Sequence, residues 1–249
     1  MFSEIITNDY KMQLSGTSEG SQDKYYKDGY WYKENKHGDE AMAEYLSSKL
    51  LTYSSLQASE YILYEMGTIN GKKGCRSRHF LAEDEELVTF YRLYFNETGE
   101  DLSKKYTRYG TAEERIAFTI DEMKRIAGVD VCDYLRKVIT LDRIILNEDR
   151  HVNNLALIYG GKGFRPAPIF DNGISLLTAN RSVSQQMSME ENVRKVIARP
   201  FSGDFEKAYS CLGKGFDLNI EEAVKWLLTE EASFEQKVLL HQLEHLEGI

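Results

Sequence analysis

The stretch of residues 146–173 constrains this chain most, because it fixes the spacing of three polar side chains around a predicted hairpin. Asp149 stands five residues before Asn154, and Asp171 opens an Asp-Asn-Gly turn. Two short apolar runs between them are typical of strands joined across a glycine-rich turn. The predicted strands are residues 155–159 and 167–170, with the turn at 160–163. A hairpin of this length brings Asn154 and Asp171, at its two ends, close together.

This spacing is typical of a site for phosphoryl transfer. Mg²⁺ binds few protein ligands beside phosphate and water, and two side-chain oxygens at the ends of one hairpin can share it. Protein kinases use an Asp near the attacking hydroxyl, an Asn five residues later and an Asp-x-Gly, in that order. We therefore expect Asp149 to act on an acceptor hydroxyl, Asn154 and Asp171 to bind Mg²⁺, and ATP to be the phosphate donor.

Two further polar residues follow Asp149 directly. Arg150 is expected either to hold a phosphate or to pair with a neighbouring carboxylate. His151 is a candidate catalytic residue that would contact the reacting phosphate, and the alternative is a packed histidine that fixes the loop. The sequence leaves both pairs of alternatives open.

A loop rich in glycine and small hydroxyl residues precedes an aromatic strand-like segment that ends at Lys33. Glycine lets backbone N–H groups approach phosphate oxygens closely, and a lysine at a strand end can reach the same phosphates. An ordinary turn has the same composition, so this prediction depends on the position of the loop upstream of Asp149. The residues predicted to bind ATP here are Gly16, Thr17, Ser18, Gly20 and Lys33.

An amphipathic helix is predicted from Glu40 onward, with Asp39 as its N-cap. Kinases hold the phosphate-binding lysine by an ion pair with a glutamate on the helix that follows it. Glu40 and Glu44 lie one turn apart on one face, so either carboxylate could pair with Lys33, and a solvated carboxylate is the alternative for each. We favour Glu40 as the ATP-site residue.

The rest of the chain divides into a sheet-rich part and a helical part. Two more strands complete the first part, and the second contains helices whose caps are visible in the sequence, such as Thr111 with Glu114 three residues later. The predicted strands are residues 61–66 and 75–81, and the predicted helices are 83–95, 111–128 and 131–146, with two more from Asn219 and from about Ser233. We expect an N-lobe of residues 1–82 and a C-lobe of residues 83–249.

Composition and charge exclude several classes of protein. The chain has 249 residues, 42% of them hydrophobic and 29% charged, as in an ordinary globular protein. A net charge of −9 disfavours direct nucleic-acid binding, which needs clustered Lys and Arg. No apolar run approaches the roughly 20 residues of a membrane span, and the acidic start does not resemble a signal peptide. With three scattered cysteines and no CxxC pair, we expect a cytoplasmic protein without a membrane partner.

The central segments NEDRHVNN and APIFDNG resemble the catalytic core of the HipA-like bacterial kinases. Upstream, GTSEGSQDK resembles the phosphate loop of that family, and YWYK resembles the strand that carries its ATP-binding lysine. The resemblance implies an α+β, two-lobed protein-kinase-like fold, distantly similar to phosphoinositide kinases. It also implies that Asp149 is the catalytic Asp, that Asn154 and Asp171 bind Mg²⁺, and that Lys33 contacts ATP phosphates.

The same resemblance implies a function, namely phosphorylation of Ser or Thr in a protein substrate. Members of the family often act as toxins with an antitoxin partner, and some phosphorylate their own glycine loop, where Thr17, Ser18 and Ser21 are candidates. Because the glycine loop begins near residue 15, we expect a short form without the N-terminal subdomain of the long members. The alternatives are a lipid or small-molecule kinase with the same centre, and a non-catalytic nucleotide-binding or interaction module.

Overall fold

A five-stranded sheet occupies the first third of the chain. The computed structural model describes residues 1–11, 24–184 and 186–245, and within these ranges the strand order is β1-β4-β5-β3-β2. β1 runs parallel to β4, and the other neighbours are antiparallel. The strands are β1 (Phe2–Glu4), β2 (Lys24–Lys27), β3 (Tyr30–Glu34), β4 (Tyr64–Ile69) and β5 (Lys72–Arg78). Lys33 is therefore on a central part of this sheet, between β5 and β2.

Two tight hairpin turns explain the register of this sheet. Asp28-Gly29 joins β2 to β3, and Asn70-Gly71 joins β4 to β5. All four residues have positive φ, between 51° and 79°, which is the conformation that Asp-Gly and Asn-Gly favour in two-residue hairpins. Strands were predicted at residues 61–66 and 75–81. Because the second turn has only two residues, β4 extends to Ile69 and β5 begins at Lys72.

Helix α1 (Glu40–Leu50) begins where the sequence predicted. Its N-cap, Asp39, accepts a hydrogen bond from the amide of Met42 at 3.3 Å. The helix packs on β4 and β5 and is buried along most of its length, with Leu46 and Leu50 fully excluded from solvent. It therefore presents the side chains of its first turns to the strand that carries Lys33.

A second sheet corrects two predictions around the central stretch. Residues 83–95 were expected to form one helix, but a strand comes first, and Thr89 then caps α2 by accepting from the Arg92 amide. The second strand of the hairpin is residues 163–166 rather than 167–170, because the turn at Gly161-Lys162 is tight. The three strands are β6 (Glu86–Thr89), β7 (Ala156–Gly160) and β8 (Gly163–Pro166), in antiparallel order β6-β7-β8.

The segment 167–170 crosses from this hairpin towards the first sheet. Ile169 forms a parallel bridge with Tyr61: its amide donates to Glu60 O at 2.7 Å, and its carbonyl accepts from the Ile62 amide at 3.0 Å. The sequence predicted a hairpin strand here because these residues are apolar. They pair instead with the chain segment before β4. The crossing delivers Asp171 to the cleft between the two sheets.

Helices form the remainder of the described chain. The capping box of α4 is present, with Thr111 and Glu114 bonded to each other's backbone, and Gly128 ends the helix at φ +71°, both as predicted. The helices are α2 (Phe90–Thr98), α3 (Leu102–Lys105), α4 (Ala112–Ala127), α5 (Cys132–Ile145), α6 (Met189–Val193), α7 (Phe205–Leu212), α8 (Ile220–Leu227) and α9 (Phe234–His245). In the described ranges, no helix is both long enough and apolar enough to cross a membrane.

Helix α5 is the central core helix, as predicted. Ten of its residues are buried, including Leu135, Leu141 and Ile144 with no exposed surface. The helix ends at Leu146, whose left-handed backbone (φ +54°) turns the chain into Asn147. The core thus fixes the start of the loop that carries Asp149. The expected lobe boundary at residues 82 and 83 falls between β5 and β6 and stays a prediction.

Candidate active site

A buried lysine connects three elements of the fold. The Nζ atom of Lys33 lies 2.6 Å from Oε1 of Glu44 on α1 and 2.8 Å from Oδ1 of Asp171. It also lies 5.2 Å from the ring centroid of Tyr64 on β4, a cation–π contact. The lysine therefore links the sheet, α1 and the Asp-Asn-Gly turn at one point.

The structure corrects the choice between the two glutamates. Glu44 contacts Lys33, whereas the carboxylate of Glu40 accepts hydrogen bonds from the backbone amides of Lys36, His37 and Gly38 at 2.6 to 3.2 Å. Glu40 therefore organises the turn before α1 and does not pair with Lys33. The sequence could not separate them, because both lie on the same helix face and the local turn competes for the first carboxylate.

Opposite charges around Lys33 and Asp171 stabilise their ionised forms. Burial lowers the pKa of Lys33, but the carboxylates of Asp171 and Glu44 outweigh it and hold the pKa well above its usual value. Burial likewise raises the pKa of Asp171, but Lys24 and Lys33 hold it well below its usual range. Lys24 Nζ lies 3.6 Å from Asp171 Oδ2. A carboxylate held ionised in this way can bind a cation at any pH near neutrality.

The loop of Asp149 is closed by hydrogen bonds between its own residues. The side-chain amide of Asn154 donates to the carbonyl oxygen of Asp149 at 3.0 Å, and the Asn154 backbone amide donates to His151 O at 2.8 Å. Asn147 accepts from the Asp149 amide at 3.1 Å. The five-residue spacing from Asp149 to Asn154 is thus a closed turn, and the two predicted residues are neighbours in space.

The carboxylate of Asp149 is half-buried and has a raised pKa. Burial is the main cause, the negative charge of Asp171 adds to it, and His151 and Arg199 oppose it. His151 Nε2 lies 3.8 Å from Asp149 Oδ2, and its buried Nδ1 has no hydrogen-bond partner among the described residues. The structure therefore places His151 beside Asp149 at the same loop.

Arg150 pairs with a carboxylate, which decides between its two predicted roles. It is almost fully buried, and its Nε and Nη2 contact the carboxylate of Asp142 on α5 at 2.9 to 3.2 Å. The same guanidinium donates to Phe170 O at 2.8 Å and to Asn172 Oδ1 at 2.7 Å. It thereby joins α5, the Asp149 loop and the Asp171 turn.

Sequence reasoning missed three residues of this buried network, Asp142, Asn147 and Asn172. Asn147 donates to Asp142 Oδ1 at 3.1 Å, and the Asn172 amide donates to Glu44 Oε2 at 2.9 Å. A signal for Asp142 was present, since it lies in the mainly apolar second half of α5, where a buried carboxylate needs a partner. The connection from Asn172 to Glu44 has no such signal, because 128 residues separate them.

A cleft of about 300 Å³ opens beside Lys33 and Asp171, between the two sheets. Its remaining lining is mainly apolar and aromatic, and it includes the connection from β5 to β6. This part of the lining includes Trp31, Ser77, His79, Phe80, Leu87 and Phe170. The cleft is open to solvent, and Glu85, Glu86 and Arg92 also line it. Its apolar part, beside the charged groups of Lys33 and Asp171, suits a ligand with a flat ring and an anionic tail.

Two oxygen donors fit a hard divalent cation at the charged end. Asn154 Oδ1 is buried and has no hydrogen-bond partner among the described residues, so a cation would satisfy it. Asp171, which follows the crossing segment 167–170, supplies an ionised carboxylate. In the described part of the chain, no cluster of three or more His, Cys, Asp or Glu residues could hold a metal. One amide oxygen and one carboxylate suit a Mg²⁺ ion whose other ligands are phosphate and water.

The predicted glycine loop cannot be placed in this geometry. Gly16, Thr17, Ser18, Gly20 and Ser21 lie outside the described residues. β2, which follows the loop directly, carries Lys24 to within 3.6 Å of Asp171. Phosphate binding by this loop stays a prediction.

Solved structures of two other proteins are similar to this chain. The chain is similar to the proinflammatory kinase CtkA of Helicobacter pylori, with a TM-score of 0.63 and 15% identity over 92% of this chain and 88% of that one. It is also similar to a chain of the HipA–HipB–operator DNA complex of Shewanella oneidensis MR-1, with a TM-score of 0.49 and 12% identity over 96% and 66% of the two chains. No protein-family model and no curated protein sequence matches the chain.

The likeness to CtkA covers most of both chains and confirms the predicted fold. The chain has an α+β, two-lobed protein-kinase-like fold, with an N-terminal sheet and C-terminal helices. At 15% identity the comparison concerns the fold alone.

Proposed function

We propose that this protein is an ATP-dependent kinase that transfers the γ-phosphate to a Ser or Thr hydroxyl of a protein. The observation that carries the proposal is the buried Glu44–Lys33–Asp171 contact at the charged end of the cleft. A kinase needs this lysine–glutamate ion pair and its metal-binding Asp in place together. Asp149 and Asn154 stand in the required order on the adjoining loop.

ATP would bind in the cleft with its base in the apolar part and its phosphates at Lys33. The ammonium of Lys33 is positioned by Glu44, so it can attract phosphate oxygens without losing its place. The Asp171 carboxylate would exchange part of its contact with lysine for the bound cation. Asn154 Oδ1 and Asp171 would hold Mg²⁺, which when bound neutralises charge on the phosphates.

Asp149 would receive the acceptor hydroxyl. Its carboxylate is 44% exposed, so a substrate can reach it, while its backbone is fixed by Asn147 and Asn154. A raised pKa makes it a stronger proton acceptor than an ordinary Asp. His151, at 3.8 Å, would contact the reacting phosphate or stabilise the loop.

The two proposed lobes would have different functions. Residues 1–82 would hold the nucleotide through the sheet and α1, and residues 83–249 would supply Asp149, Asn154 and Asp171. The Arg150–Asp142 pair keeps the second group together. A toxin role, an antitoxin partner and phosphorylation of the glycine loop are implied by resemblance alone and stay predictions.

Phosphoproteomics tests the acceptor class. Cells producing the wild-type protein are compared with cells producing Asp149→Asn, which keeps the size of the side chain but removes the base. We expect Ser and Thr phosphosites in cellular proteins that appear only with the wild type.

An unchanged phosphoproteome with an active enzyme would reject the protein acceptor. Incubation of the purified protein with radiolabelled ATP and a cell extract separated into proteins, lipids and small molecules then identifies the other acceptor. Label in the lipid or small-molecule fraction would favour the alternative kinases. Binding of ATP without any transfer would favour a nucleotide-binding module.

A further inference from the structure

Trp31 lies on the same face of β3 as Lys33, because side chains two residues apart in a strand point to the same side. Both residues line the cleft. Since a strand rises about 3.3 Å per residue, the two side chains begin about 7 Å apart. The apolar part of the cleft lies on the Trp31 side. There Ser77 on β5 pairs with Trp31, and His79 follows two residues later. A nucleotide with its phosphates at Lys33 would extend its base in this direction.

The indole of Trp31 is held in place before any ligand binds. Its Nε1–H donates to Nδ1 of His79 at 3.0 Å. Tyr26, its direct partner on β2, packs against it with ring centroids 5.0 Å apart, and the ring of His79 lies 5.4 Å from that of Tyr26. A ring fixed by a hydrogen bond and two neighbouring rings loses little conformational freedom when a ligand stacks on it, which favours binding.

Apolar side chains complete the surroundings of this indole. Leu87 on β6 lines the cleft from the second sheet, and Phe80 and Phe170 contact each other with ring centroids 6.5 Å apart. A flat base between Trp31 and these side chains would be removed from water on both faces. The surface therefore suits a large aromatic ring better than a small one.

We infer that Trp31, positioned by His79, stacks on the base of the bound nucleotide and makes the site prefer purine over pyrimidine nucleoside triphosphates. This inference rests on the proposed function, because it needs a nucleotide whose phosphates reach Lys33. A purine presents two fused rings to the indole and a pyrimidine one, so more surface is buried with a purine.

Tryptophan fluorescence tests the contact directly. The chain has two tryptophans, and Trp226 is on α8, stacked on Tyr53 at 5.5 Å and bonded to Glu230. Trp226→Phe leaves Trp31 as the reporter, and Trp31→Phe leaves Trp226 as the matched control. Titration with Mg-ATP should quench the emission of Trp226→Phe, and the midpoint should give the same Kd as calorimetry. The emission of Trp31→Phe should not change.

Unchanged emission of Trp31 at a concentration of ATP that saturates the site by calorimetry would overturn the inference. If calorimetry detects no binding of Mg-ATP to the wild-type protein, the proposed function fails instead. The two failures are therefore distinguishable. The assay uses the native Trp31, so it does not depend on whether a Trp31 substitution folds.

Affinity measurements test the preference. Trp31→Ala should raise the Kd for ATP about tenfold, the effect of losing one base–aromatic stack. It should raise the Kd for CTP less, so the ratio of the two constants falls. An equal rise for both nucleotides would indicate a merely structural role of the indole and contradict the inference.

His79 has its own pair of variants. Trp31 Nε1 is only a donor, so His79 must accept through Nδ1, and Asn retains an acceptor near that position whereas Leu does not. We expect His79→Asn to raise the Kd for ATP less than His79→Leu does, and His79→Leu to shift the Kd towards that of Trp31→Ala. The reverse order would show that His79 does not act through Trp31.

Discussion

Glu40 and Glu44 show how much one helical turn changes the role of a carboxylate. Glu44 is 2.6 Å from Lys33 Nζ, while Glu40 accepts hydrogen bonds from backbone amides of the preceding turn. Both are buried and both belong to α1. They are therefore a matched pair for testing whether the lysine must be held by its ion pair.

We expect Glu44→Gln to reduce kcat/KM for phosphate transfer, and Glu40→Gln to leave it nearly unchanged. A hydrogen bond between charged groups is worth about 2 kcal/mol, which corresponds to about thirtyfold in rate. Steady-state kinetics with Mg-ATP gives both values. Equal losses in the two variants would contradict a special role of Glu44.

Asp171 should make the free energy of unfolding depend on pH in the acid range. Burial opposes its ionisation, but Lys24 and Lys33 lower its folded-state pKa below the unfolded value of about 4. Its stabilising contribution is therefore complete above that pH and is lost as the pH falls through the lower folded-state value. The free energy of unfolding should fall below about pH 4.

Urea denaturation between neutral pH and pH 3 measures this dependence. Asp171→Asn has no carboxyl group to protonate, so its stability should fall less steeply than that of the wild type over the acid range. Parallel pH curves for the two proteins would show that the ion pairs of Asp171 do not stabilise the folded state.

At the scale of secondary structure elements, the Asp142–Arg150 pair fastens helix α5 to the active-site loops. Both side chains are almost fully buried, and the guanidinium also holds Phe170 O and Asn172. Removing one partner of a buried pair leaves an uncompensated charge, which costs about 3 to 5 kcal/mol. We expect Asp142→Asn to lower the free energy of unfolding by this amount in urea denaturation.

An exposed ion pair provides the control for that measurement. Glu221 lies 2.7 Å from Lys225 on the surface of α8, where water and salt screen the attraction. Glu221→Gln should therefore leave the unfolding midpoint unchanged. If Asp142→Asn has the same free energy of unfolding as Glu221→Gln, the Asp142–Arg150 pair does not stabilise the active-site loops.

The elements that the sequence predicted correctly are those with strong local signals. Asp39 and the Thr111–Glu114 box mark helix starts, and Gly128 marks a helix end in a conformation that glycine adopts without strain. β6 was mistaken for the start of a helix because its apolar residues run directly into α2. β6 is a strand because it pairs with β7, more than 60 residues away in the sequence. A local sequence pattern contains no information about such a distant partner.

For the molecule as a whole, the order of motifs predicted the fold and the distances between them required the structure. Asp149, Asn154 and Asp171 fall within 23 residues, but the position of Asp171 depends on the crossing of residues 167–170 to the chain before β4. The contacts of Lys33 with Glu44 and of Arg150 with Asp142 depend on how the sheet, α1 and α5 pack. The sequence offered Glu44 as one of two candidate partners of Lys33, but it did not identify Asp142 as the partner of Arg150.

The central claim is that the charged end of the cleft transfers phosphate from ATP. The most direct measurement is release or transfer of the γ-phosphate from radiolabelled ATP by purified protein, with and without Mg²⁺. We predict Mg²⁺-dependent turnover by the wild type and a loss of about a hundredfold or more in Asp149→Asn, with unfolding midpoints that match. Turnover in Asp149→Asn and Asp171→Asn equal to that of the wild type would contradict the account.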